Sequence, residues 1–377
     1  MADDIGSYIS SMGGRSAPAV AAAAALRGFV GRQSISGRRL PTTIRCCSSN
    51  STTNNSDTND DPTKPSVVHV HSALASGCMD YTRSWAWQQT LLNRRLDYQR
   101  SRRQQADPSG RDDDDDDANR DRILLFEHNP VYTLGRGADE NHLAFLDSDP
   151  DGKDAAAEKR KRLSRKARGP NSARLAVDRL NSIGVARADE EADFATLNTT
   201  VDALARCCSP VYAPNDAPIY RVERGGEVTY HGPGQIVGYP LLDLREFPYK
   251  QDLHWYLRMV EEVVIETLKA YDIEGCRDEE NTGVWVGDDK VAAVGVSSSR
   301  WITTHGFAIN VCPDLKYFDT SIIIPCGIEG KGVTSISQIL QERGISGKVK
   351  LLDVADTVVQ SFEKVFGVET IEGISLR

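Results

Sequence analysis

Several common devices are missing from this chain of 377 residues. It holds eight cysteines (Cys46, Cys47, Cys78, Cys207, Cys208, Cys276, Cys312 and Cys326), but no two are separated by two residues and they form no regular array. That pattern suggests neither a structural zinc site nor a disulfide framework, and it points to a reducing compartment. No apolar run is long. AVAAAAAL, at 19–26, falls well short of the roughly 20 residues that cross a bilayer, so no membrane role is expected. No GxxxxGK[ST] phosphate loop occurs, and GRGADE at 135–140 does not replace one. Nor is there an excess of basic charge. The formal net charge is −9, which argues against nucleic acid as the main partner.

What is present divides unevenly. Residues 1–65 are rich in Ser, Ala, Gly and Thr, with Arg15, Arg27, Arg32, Arg38, Arg39 and Arg45 spread through them and few acids. This is the composition of a disordered organelle transit peptide; its Ser/Thr content favours a plastid (chloroplast) over a mitochondrion. Residues 66–377 are expected to form a single catalytic domain carrying two low-complexity insertions. One, about 101–120, contains six consecutive acids, Asp112 to Asp117, and reads as a solvated loop. The other, about 147–215, carries the basic block KRKRLSRKAR and reads as a charged surface loop.

Between the insertions the patterning is regular. WAWQQTLLNRRL (85–96) has helical spacing, and ILLFEH (123–128) suits a buried strand. Residues 252–271 form the clearest helix, with Asp252 as its cap and Leu253, Tyr256, Leu257, Val260, Val264 and Leu268 on one face. GVWVGDDKVAAVGV (283–296) predicts a hairpin turning at Gly287–Asp289, and WITTHGFAINV predicts a further strand. A last helix is expected from about Asp353 to Phe366. Strands outnumber helices and several are joined by hairpins, so the fold class is α/β with a mixed sheet.

Four residues stand out chemically. Cys326, in IIIPCGIEGKG, follows a strand-like run and precedes a glycine, where a nucleophile could meet free backbone N–H groups; a small buried thiol fits the same context. Such a thiol attacks only as its anion, which a nearby cation favours. Lys290, opening an apolar strand, is one candidate, although an edge charge would read the same way. His231 and His305, each before a glycine, are the rivals for a Cys–His pair. No third ligand at a helpful spacing makes them a metal site.

RGGEVTYHGPGQ (224–235) holds four glycines, and glycine is unfavourable within strands unless something approaches the backbone closely. RGGEVTYHGPGQIVGYPLLDL, GVWVGDDKVAAVGV, THGFAINV and PCGIEGKGVTS, in that order, resemble the octanoyltransferase family of lipoate assembly (lipoyl(octanoyl) transferase, LipB type). DYTRSWAWQQTLLNRR and FEHNPVYTLGRG are similar to that family's amino-terminal motifs.

The resemblance implies the biotin and lipoate ligase catalytic-domain fold, a large mixed sheet packed by helices with a smaller sheet beside it. It implies transfer of an octanoyl group from octanoyl-acyl carrier protein to a lysine of lipoyl domains, those of 2-oxoacid dehydrogenase E2 subunits and the glycine cleavage H protein. Cys326 would carry the acyl group as a thioester, and Lys290 would lower the thiol pKa. The substrate-lining segments would be Arg224, Gly225, Gly226, Glu227, Val228, Thr229, Tyr230 and His231, then Ala293, Val294 and Gly295, then Gly306, Phe307 and Ala308. No cofactor is implied, since the donor arrives on phosphopantetheine; an ATP-dependent ligase of the same fold is the alternative. The glycines would let the backbone lie against a slim eight-carbon chain, with Tyr230 as a wall. Arg224 would structure its loop or face the phosphopantetheine arm. Both partners are acidic proteins, so docking would use local bases, with Arg136, Arg300 and Lys331 as candidates.

Overall fold

Strands whose every residue is buried, set beside strands that alternate, fix the layering of this chain. The computed structural model describes residues 65–104, 117–149, 151–164, 194–206, 208, 210–324, 330–345, 347–374 and 376. The expected transit peptide therefore lies outside the described residues, apart from residue 65. So do most of the acidic run and the segment 325–329 that contains Cys326.

In chain order the elements are β1 (Val67–Ser72), α1 (Tyr81–Gln104), β2 (Asp121–Phe126), β3 (Val131–Leu134), α2 (Lys153–Leu163) and α3 (Phe194–Arg206). Then come β4 (Val211–Tyr212), β5 (Pro218–Arg221), β6 (Val228–His231), β7 (Gln235–Leu241) and α4 (Leu253–Lys269). β8 (Cys276–Arg277), β9 (Val284–Val286), β10 (Asp289–Ser299), β11 (Ile302–Asn310) and β12 (Gly332–Val333) follow. α5 (Ile336–Glu342), α6 (Leu351–Phe366) and β13 (Glu369–Glu372) complete the series.

The large sheet runs β13-β1-β2-β7-β11-β10-β9-β8, with β12 alongside β10. It is parallel across β13-β1-β2 and antiparallel from β2 to β8. Both faces are covered, so β2 reads as a continuous apolar run. Ile123 and Leu125 face the core made with α4, α5 and α6. Leu124 and Phe126 face the core made with α1 and α3. A smaller sheet, β4-β5-β3-β6, closes over a third core with Leu163 of α2 and Ile323. The expected α/β architecture, a large mixed sheet packed by helices plus a smaller sheet, is the one observed.

Helix α4 begins as expected. The Asp252 carboxylate accepts hydrogen bonds from the amides of His254 and Trp255, at 2.8 and 3.2 Å. Tyr256, Val260, Val264 and Leu268 are buried, but Leu253, in the first turn, is exposed. The hairpin β9–β10 turns at Gly287 and Asp288.

Three expectations need correction. The stretch 147–215 is not loop throughout. α2 carries an acid in its first turn and bases in its last, which suits the helix dipole, and α3 buries Val201 and Leu204. The basic block is also partly neutralised at home. Lys159 pairs with Asp149 at 2.8 Å and with Asp151 at 3.1 Å, and Arg160 pairs with Asp147 at 2.5 Å. At the acidic insertion, α1 continues to Gln104, and Asp117 joins Arg94 and Arg122 at 3.0 and 2.8 Å. Finally, Ile322 to Ile324 form no strand. The neighbouring backbone is the turn at 142–145, so they bond there: Ile324 N donates to His142 O at 2.8 Å, and Ile323 fills the small-sheet core.

Candidate functional site

A cavity of about 180 Å³ opens where β10 and β11 run past β6 and the loop before it. An apolar void of about 150 Å³ takes up benzene, so this space admits a slim organic group. β10 contributes Lys290, Ala293, Val294 and Gly295; β11 contributes His305, Gly306, Phe307 and Ala308. Arg224, Gly226, Glu227, Thr229 and His231 close the opposite wall.

Alternation in β6 decides which of its residues can be reached. Thr229 and His231 border the cavity, whereas Val228 and Tyr230 point into the small-sheet core. Tyr230 stacks on Tyr317 at 4.5 Å between centroids, so it does not wall this space as expected. Gly225 does not border it either; its amide donates to Val296 O at 3.0 Å and docks the loop on β10. Two of the four glycines of 224–235 answer to their own protein rather than to a ligand. A Cβ at Gly232 would lie 1.9 Å from the Tyr230 hydroxyl oxygen, and one at Gly234 would lie 2.5 Å from Cys312 O.

Arg224 is buried, and it structures the loop. Its guanidinium donates to Thr133 O and Oγ1 at 2.7 and 2.8 Å, and to Gly225 O at 3.0 Å. Glu227 ties that loop to the GRGADE turn, accepting from Asp139 N and His142 Nδ1, both at 3.0 Å. Lys290 is buried beside the cavity, with Nζ donating to Thr282 O at 3.1 Å, which is not the position of an edge charge. Cys326 lies outside the described residues.

His305 breaks the pattern of its strand. Phe307 and Ile309, of the same parity, pack toward α4, yet the His305 ring sits edge-on to Tyr239 and lines the cavity. Its φ of +58° lies in the left-handed region, which costs roughly 1–2 kcal/mol for a residue with a Cβ and accompanies the ring's change of side. The ring Nε2 lies 3.7 Å from Glu223 Oε2, which itself accepts from Trp85 Nε1 at 3.2 Å. Burial pushes His305 down, and Glu223 partly opposes this. Burial, reinforced by the nearby His128 and Arg224, holds His231 well below the usual histidine range. The imidazole of His231 is therefore neutral at neutral pH, an acceptor rather than a counter-charge.

Tyr81, Val237, Tyr239 and Thr282 also border the cavity and were not singled out from the sequence. For Val237 and Tyr239 a signal existed, since strand alternation puts them opposite Ile236. Of the bases considered for docking, Arg136 and Arg300 are exposed, while Lys331 is engaged by Asp278. Among the described residues no cluster of three His, Cys, Asp or Glu is placed to hold a metal ion.

The profile of the lipoyl protein ligase A/B catalytic domain matches residues 202–363. An octanoyltransferase of Nostoc sp. is 37% identical over 296 residues, spanning 78% of this chain and 92% of the relative. One of Synechococcus elongatus is 36% identical over 290 residues, spanning 77% and 86%. A solved bi-partite lipoate protein ligase from Thermoplasma acidophilum aligns with a TM-score of 0.43 and 12% identity, over 83% of this chain and 88% of that one. Sequence identity at this level, sustained across nearly the whole length of its relatives, makes this chain a member of the octanoyltransferase family.

Proposed function

We propose that the chain moves an octanoyl group from the thioester of acyl carrier protein to a lysine of lipoyl domains, those of E2 subunits and the H protein included. The observation that carries this reading is the 37% identity to an octanoyltransferase over 92% of that relative's length. The relatives' names favour transfer from a carrier over ATP-dependent ligation.

Cys326 is the nucleophile in this reading and Lys290 the group that favours its anion. The chain returns to the Lys290 strand seven residues after Cys326, where Val333 pairs with Lys290. The Cys326 thiolate attacks the carrier thioester carbonyl, the carbon–sulfur bond to phosphopantetheine breaks, and the leaving thiolate takes up a proton. The two thioesters are nearly equal in free energy, so no ATP is consumed. The acceptor amine then attacks the acyl-cysteine, loses its proton, and returns the thiol. Amide formation makes that second step downhill. Ala293, Gly306 and Ala308 leave room for the chain, and each buried CH₂ contributes about 0.8 kcal/mol.

Incubation with octanoyl-acyl carrier protein is expected to add one octanoyl mass at Cys326 in the wild type and none in Cys326→Ala. An unchanged mass in the wild type, or the same adduct in the variant, rejects the reading.

A further inference from the structure

Lys290 is seated by more than its own strand. It faces Trp285 across one ladder and Val333 across the other, and its carbonyl accepts from Thr334 N at 3.0 Å. A buried ammonium needs partners in place of lost water. The Lys290 ammonium has the Thr282 carbonyl at 3.1 Å and the Trp285 ring, whose centroid is 4.6 Å away. A cation that close to an indole is attracted by the ring's quadrupole.

The seat is built rather than incidental. Trp285 is 2% exposed, and its Nε1 donates to Asn281 O at 3.1 Å. The loop carrying Thr282 is pinned by Glu261, a fully buried carboxylate on α4 that accepts from Gly283 N at 3.0 Å. Gly283 has φ +130°, and a Cβ there would lie 2.7 Å from Ala292 O and 3.2 Å from Lys290 Cε, so a side chain at this position would press on both the β10 backbone and the lysine stem.

The kind of partner matters as much as its presence. Lys331 also stands 4.6 Å from the Trp285 ring, but Asp278 balances its charge. Among the described residues no carboxylate pairs with Lys290. A carboxylate would fix the ammonium and cancel its field together. An aromatic face fixes it and leaves the positive field available to an anion in the cavity.

We propose that Trp285 is a positioning residue that holds the Lys290 ammonium beside the cavity without neutralising it. The inference rests on the reading of Lys290 as the group that favours the Cys326 thiolate.

The test is the pH profile of Cys326 alkylation, followed by peptide mass spectrometry in the full chain. Trp285→Leu is expected to move the profile upward by about half to one and a half pH units, a roughly 3- to 30-fold slower reaction on its rising limb. Trp285→Phe, which keeps a ring, restores most of the rate. Fluorinated tryptophans placed at 285 keep the shape and weaken the quadrupole, and they give graded shifts even if Trp285→Leu fails to fold. A profile unmoved by fluorination, or a loss equal at every pH, overturns the role of Trp285. A profile unmoved by Lys290→Ala overturns the Lys290 reading itself, which separates the two failures.

Discussion

At the scale of residues, the site is made of small side chains facing one lysine. Ala293 borders the main cavity and also the smaller space beside Trp285 and Lys331, so it stands where a chain would pass. Ala293→Leu is expected to shorten the acceptable acyl group. Each methylene that no longer fits forfeits about 0.8 kcal/mol, close to fourfold in kcat/KM. Octanoyl transfer should therefore fall by tenfold or more while a butanoyl carrier loses little. Steady-state rates with carriers of four, six and eight carbons check this, and equal losses for all three would count against a chain lying along Ala293. Of the fourteen residues expected to line the site, the structure brings eleven to the cavity and turns Val228, Gly225 and Tyr230 away from it. The difference is a matter of parity and turn geometry, since motif identity carries no information about which face a side chain takes.

At the scale of elements, the patterns that were legible are those with strong local periodicity. Helix α4 shows Tyr256, Val260, Val264 and Leu268 in register and is capped where the sequence puts Asp252. Asp252→Ala leaves two first-turn amides without that acceptor. It should cost about 1 kcal/mol of unfolding free energy, read as a lower midpoint with an unchanged slope in urea. The elements misread are those where charge masked structure. In α2 the bases that look like a solvated run occupy the helix's last turn and find acids upstream. The IIIP run has the β-branched residues of a strand but meets a turn, because β propensity reports a fit to neighbours that the sequence does not name.

At the scale of the whole molecule, burial of histidine sets a pH dependence. His71 and His128 are both held down to about 4 by burial, although the Ile374 and Met79 carbonyls beside them pull the other way. Their unfolded values lie near 6.5, so between about pH 6.5 and 4 the unfolded chain binds more protons than the folded one. Stability is therefore complete above pH 6.5 and falls as pH drops toward 4, by several kcal/mol for the two groups together. Urea unfolding at pH 7, 5.5 and 4.5 checks this. His128→Gln, retaining polar character in that buried position, should make the decline shallower.

The sequence by itself determined the fold class, the family, the strongest helices and the residue types gathered at the site, because periodicity, capping and ordered motifs are local properties. Only the tertiary structure decided that Arg224 ties its loop to Thr133 of β3, that Gly232 and Gly234 make room for neighbouring protein groups, that His305 turns against its strand, and that Lys290 lies over the Trp285 ring. Those outcomes depend on which surfaces meet across ladders and between sheets, and distance along the chain does not encode that.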